Sequence, residues 1–127
     1  MNRILLDTHV LLWANAAPQR IGPNATRLLH AAEELLVSSV SAAEIAVKRS
    51  IGKLQMRVTT YQLMAPLAAV ELVLTVGHAE TTDSLPLLHR DPFDRLLAGQ
   101  SVAEDLLLLT ADDKLLGYPV RTFDART

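Results

Sequence analysis

The sequence predicts a three-layer α/β domain, a parallel sheet of about five strands flanked by helices. Three observations predict it. Short aliphatic runs without polar alternation recur along the chain, as in Ile4-Leu5-Leu6 and Leu106-Leu107-Leu108-Leu109. Such runs suit strands buried on both faces. Helical patterns and Gly or Pro punctuation separate them. The chain has 127 residues, half of them hydrophobic, which is enough for one domain, 1–127, with a sizeable core.

Taken in order, residues 3–7 read as strand one, and Thr8 to Ala14 starts a helix. Residues 17–23 form a loop, and a helical pattern then runs from Asn24 to Glu34. Residues 35–39 read as strand two. Ser41 and Glu44 have the spacing of a capping box, so the next helix is expected to start at Ser41 and stop near Gly52. A helix from Thr59 or Thr60 to Val70 contains Pro66 as a kink. Strand three is expected at 72–76, a short helix at 77–85 and a loop at 86–90. Asp91-Pro92 has the chemistry of an N-cap followed by the first helical residue. Strand four is expected at 106–110, a short helix at 112–116 and an edge strand at 118–122. The order of strands is left open.

Composition narrows the chemistry. The formal net charge is −2, so no global basic field draws in nucleic acid. The absence of cysteine excludes disulfides and thiolate metal sites and fits a reducing, cytoplasmic compartment. Asp7 and His9 interrupt the early apolar region, which argues against a secretion signal. No apolar run approaches the roughly 18 residues of a membrane span.

Four acids follow a strand or open a helix: Asp7, Glu44, Asp94 and Asp112. Each has a plain explanation, because acids in a first helical turn are favoured by the helix dipole. Together they mean more. Strand C-termini of a parallel sheet share one edge, which delivers Asp7, Glu44 and Asp112 to a common rim. The placement of Asp94 is less forced. Carboxylates gathered there repel one another unless a cation neutralises them. Oxygen ligands without cysteine suit Mg²⁺ or Mn²⁺. Such an ion activates water and offsets charge on a phosphoryl group.

The chain resembles PIN-domain ribonucleases, in particular VapC-like toxins of type II toxin–antitoxin pairs. Four stretches carry the resemblance: Leu5-Leu6-Asp7-Thr8-His9, residues 38–44 ahead of a basic helix, His89-Arg90-Asp91-Pro92-Phe93-Asp94-Arg95, and Leu109-Thr110-Ala111-Asp112. The resemblance implies a parallel sheet with the first strand central. It also implies an endoribonuclease in which Asp7, Glu44, Asp94 and Asp112 hold Mg²⁺ or Mn²⁺. Asp94 rather than Asp91 matches the family's third acid, and Asp113 is the substitute for Asp112. Thr8 and Thr110 would support the site by hydrogen bonds. A small antitoxin and a second copy of the chain are the implied partners.

Between Ile45 and Val70 there is no acid, and Lys48, Arg49 and Lys53 join Arg95 as candidates to hold the RNA backbone. Aromatic residues make up 4%, so base stacking is not an expected device. Trp13 is read as core packing, with a dimer or antitoxin interface as the alternative. His9 and His89 stand near proposed acids but are not assigned as ligands. Two rival readings remain, a phospho-receiver domain and a haloacid-dehalogenase-like phosphatase. The first needs an acceptor Asp after strand three, and 72–77 contains none. The second wants an acid two residues after Asp7, where His9 stands.

Overall fold

A computed structural model of the chain describes residues 2–87 and 89–127; Leu88, in the loop expected at 86–90, lies outside them. Five strands, β1 (Arg3–Leu6), β2 (Glu34–Ser38), β3 (Val70–Leu72), β4 (Leu107–Thr110) and β5 (Thr122–Asp124), form one sheet in the order β3-β2-β1-β4-β5. Every pairing is parallel. The helices are α1 (Thr8–Ala16), α2 (Pro23–Ala31), α3 (Ser39–Ser50), α4 (Thr60–Met64), α5 (Val76–Asp83), α6 (Pro92–Ala103) and α7 (Asp113–Leu116).

The all-aliphatic character of β1 is explained by its central place. Ile4 and Leu5 are fully buried and Leu6 nearly so. Ile4 and Leu6 point into one core with Val10, Leu11, Ile45 and Leu63. Leu5 points the other way, into a second core with Leu97, Leu108 and Leu115. At about 25 cal/mol per Å² of apolar surface, a fully buried Leu or Ile contributes about 1.5–3 kcal/mol. The two cores therefore fix β1 from both faces.

The strand order makes the site. From β1 the chain winds outward through β2 to β3, then returns to place β4 on the other side of β1. Neighbouring strands leave the sheet in opposite directions at this reversal, and a crevice opens beyond their carboxyl ends. Asp7 follows β1 and Thr110 ends β4, and the Asp7 N–H donates to the Leu109 carbonyl at 3.0 Å. Both residues stand on the crevice floor.

The helix expected to reach Glu34 ends at Ala31, and Glu34 opens β2. Four further boundaries move, each for a local reason. The helix expected at Ser41 begins at Ser39, because Ser38 is the N-cap and accepts from the Val40 N–H at 2.9 Å. The Ser41–Glu44 capping box is therefore absent, and both residues are buried inside α3. The third strand is Val70–Leu72 rather than 72–76, since Thr75 and His78 form a reciprocal cap that starts α5 at Val76. Histidine replaces the usual Glu or Gln of that motif. The helix expected to reach Val70 ends at Met64; Ala65–Leu67 is a 3-10 turn around Pro66, and Ala68 takes a left-handed φ of 50°. The fifth strand is Thr122–Asp124 rather than 118–122, because Tyr118 is buried in the second core.

No helix among the described residues is long and apolar enough to cross a membrane. Helix α6, which carries Asp94, is packed tightly on α5 at Gly99. A Cβ there would overlap the Thr82 hydroxyl and stand 3.0 Å from its Cα. Gly99→Ala is expected to cost about 1–3 kcal/mol despite its gain in helix propensity, seen as a lower denaturant midpoint with an unchanged slope.

Candidate metal centre

Each acid reaches the crevice from a different element, and only one of the four caps a helix with its side chain. Asp7 is 1% exposed and stands at the N-cap of α1, yet its carboxylate makes no capping bond. Instead Asp7 Oδ2 accepts from Thr110 Oγ1 at 2.7 Å. Thr110 Oγ1 accepts in turn from the Asp112 N–H at 3.0 Å. One hydroxyl thus links the acids of β1 and β4. Glu44 is 2% exposed, and Glu44 Oε2 pairs with Lys48 Nζ at 2.5 Å. Asp94 lies in the first turn of α6, but Asp91 supplies the cap, accepting from the Phe93 and Asp94 N–H groups. Asp112 does cap α7, accepting from the Lys114 N–H at 2.8 Å.

The supporting residues divide. Thr110 bonds directly to Asp7. Thr8 Oγ1 donates to Ser41 Oγ at 2.8 Å and so braces α1 against α3, without bonding a carboxylate through its side chain. Asp113 is exposed and pairs with Arg126 at 2.6 Å, outside the group.

His89, which the sequence places near the acids without a role, is brought between two of them. His89 Nε2 lies 2.8 Å from Asp94 Oδ2 and 3.0 Å from Asp112 Oδ2. The Asp91 N–H donates to His89 Nδ1 at 3.3 Å, which puts the hydrogen of the neutral ring on Nε2, facing both acids. The His89 N–H is anchored on the hydroxyl of buried Tyr118 at 3.1 Å. Its position in the Asp91-Pro92 motif was the available signal, but a loop has no periodicity from which to read a direction.

The electrostatics are those of crowded like charges. Burial pushes Asp94 up to about 8, aided by the charges of Asp7, Asp91, Glu44 and Asp112. Burial also raises Asp7, with Glu44 adding, while the Thr110 hydroxyl and His9 oppose. Partial burial pushes Asp112 upward too, but the Lys114 N–H and His89 outweigh it and hold the carboxyl below its ordinary value.

The donor set fits a hard divalent cation. Asp7 Oδ1 and Glu44 Oε1 are buried and accept no hydrogen bond among the described residues. A buried carboxylate oxygen without a partner is costly unless something cationic satisfies it. His89, Asp94 and Asp112 offer ligand atoms within 4.8 Å of one another. With the hydrogen of His89 on Nε2, the ligand atoms are carboxylate oxygens, suited to Mg²⁺ or Mn²⁺, and His89 orients two of the carboxylates.

The proposed RNA-backbone cations are less uniform. Lys48 is held by Glu44, whose hydrogen bond and charge outweigh burial and raise its pKa. Lys53 is exposed and lines, with Lys48, Thr8 and His9, a cavity of about 320 Å³. Arg49 donates to the Val58 carbonyl at 2.7 Å, and Arg95 reaches the Thr82 and Leu85 carbonyls at 3.4 Å. These two arginines are engaged with backbone.

Comparison with known proteins bears on the family and the fold. The PIN-domain family profile matches residues 4–119. Ribonuclease VapC22 of Mycobacterium tuberculosis is 33% identical over 123 residues, covering 93% of each chain. The fold is similar to that of VapBC2 from Rickettsia felis bound to a promoter DNA fragment, with a TM-score of 0.68, 18% identity and coverage of 96% of this chain and 98% of that one. It is also similar to DNA-bound VapBC from Salmonella typhimurium, with a TM-score of 0.66, 16% identity and 98% coverage of both. The receiver alternative fails on topology as well, since its 2-1-3-4-5 strand order differs from the order here. The dehalogenase-like alternative fails at His9, which is no acid and lies exposed on α1. With the profile spanning most of its length and a ribonuclease VapC relative 33% identical over 93% of it, the chain belongs to the PIN-domain family.

Proposed function

We propose that the chain is a divalent-metal-dependent endoribonuclease, the toxin of a VapBC-like pair, acting as one domain. The observation that carries the reading is the pair of buried, unpartnered carboxylate oxygens on Asp7 and Glu44, beside Asp94 and Asp112. The name of the relative VapC22 and the complexes formed by the solved neighbours support the substrate class and the antitoxin. Mg²⁺ or Mn²⁺ is the proposed ion, and a homodimer the proposed state.

Asp7, Glu44, Asp94 and Asp112 would hold the ion. Thr110 fixes the Asp7 carboxylate from below. His89 keeps Asp94 and Asp112 facing each other. Lys48 offsets one charge of Glu44, and Lys53 stands open toward a phosphate backbone. A divalent ion bound by these carboxylates supplies an activated water and charge neutralisation for in-line hydrolysis of a phosphodiester. No side chain serves as the nucleophile.

RNA cleavage by the purified chain tests the proposal. With Mg²⁺ or Mn²⁺ the wild type is expected to cut structured RNA, and chelator to stop it. Asp7→Asn and Asp94→Asn are expected to remain folded by circular dichroism and to lose cleavage. Retained cleavage in both variants would remove the site assignment.

The raised Asp94 pKa gives a second outcome. An unfolded chain releases this proton near pH ~4, and the folded chain near about 8. Between those values the folded state binds more protons, so the stability of the metal-free protein falls as pH rises. The depressed Asp112 acts in the opposite sense but below that window. Mg²⁺ is expected to remove the decline and to bind more tightly as pH rises toward 8, releasing up to about one proton. Calorimetry in two buffers of different ionisation enthalpy measures this; affinity independent of pH would contradict it.

A further inference from the structure

The chain's single tryptophan stands at the edge of the acidic crevice. Trp13 is half-buried on α1, with its ring packed on the first core. The Arg20 guanidinium lies over that ring, 4.6 Å from its centroid. Arg20 is held there by a 3-10 turn that folds back onto α1. The Ala17 N–H donates to the Trp13 carbonyl at 2.8 Å, and the Arg20 N–H to the Ala17 carbonyl at 2.9 Å. Arg20 is exposed and forms no salt bridge among the described residues. Arg126 nearby is paired with Asp113 and Asp124.

Asp7, His9, Trp13, Arg20, Asp112 and Arg126 line one cavity of about 400 Å³. His9 also borders the cavity that holds Lys48 and Lys53. Cations therefore line both cavities, and among the described residues the cation–aromatic stack borders the one that holds Asp7 and Asp112.

We propose that Trp13 and Arg20 form a subsite that stacks one unpaired nucleotide beside the scissile phosphate. The inference rests on the ribonuclease reading above. An unstacked base lies on the open face of the guanidinium, giving a base–guanidinium–indole stack. The charge of Arg20 also meets the adjoining phosphate. Paired bases inside a duplex cannot reach this platform.

Trp13 is its own reporter. The purified chain, in chelator and low salt, is titrated with a labelled single-stranded oligoribonucleotide and with the same strand in a duplex. Label anisotropy and tryptophan emission are read together. The single strand is expected to change Trp13 emission saturably and the duplex not to. Arg20→Ala is expected to weaken single-strand binding about tenfold, within the range of one stacked base. Arg20→Lys, which keeps the charge and loses the plane, is expected to recover only part of that loss.

Full affinity in Arg20→Lys, unchanged Trp13 emission on binding, equal response to duplex, or no binding would each overturn the subsite. Mg²⁺-dependent cleavage by wild type, run in parallel, separates the two claims. Cleavage together with any of those results removes the subsite alone. Absent cleavage removes the ribonuclease reading itself.

Discussion

Carboxylates placed together out of water repel one another, and this protein tolerates several at the point where its sheet reverses direction. The cost is visible in Asp94, whose carboxyl is pushed up to about 8 by burial first and then by the charges of Asp7, Asp91, Glu44 and Asp112. It is visible again in Asp7 and Glu44, each with a buried oxygen that accepts no hydrogen bond among the described residues. Folding does not select for such groups, because an apolar residue would fill the same space more favourably. A divalent cation bound there would resolve both the repulsion and the unmet acceptors.

The rest of the chain frees those acids for that purpose. Helix starts need acceptors, and acids are common ones. Here Ser38 caps α3 and Asp91 caps α6, so neither Glu44 nor Asp94 is spent on a helix end. Asp7 stands at a cap position and does not cap. Thr110 binds the second Asp7 oxygen and the Asp112 N–H at once, which couples the two central strands. His89 bridges Asp94 and Asp112 from a loop that Tyr118 holds in place. The aliphatic β1 keeps this arrangement rigid by filling both cores.

Much of this was legible in the sequence. Aliphatic runs such as 4–6 and 106–109 announced buried parallel strands, and topology then required Asp7 and Asp112 to share an edge. Asp91-Pro92 gave the start of α6 correctly, because proline at the first helical position has a fixed backbone requirement. The failures have physical causes. Ser41 and Glu44 match a capping box in spacing, but β2 runs straight into α3 and the cap falls three residues earlier. The edge strand β3 is short and mostly exposed, so the apolar run 72–74, which starts at its last residue, masks its true position. His89 and the Trp13–Arg20 stack depend on loop and turn geometry, which leaves no periodic trace.

Anomalous scattering from crystals of the purified chain grown with Mn²⁺ above pH 8 tests the metal centre most directly. The account predicts a manganese peak in the crevice, about 2.1 Å from oxygens of Asp7 and Asp94, with Glu44 or Asp112 adjoining it. The Asp7 Oδ1 and Glu44 Oε1 atoms should face that peak. A crevice without manganese, in which protein donors or water satisfy both oxygens, would contradict the account.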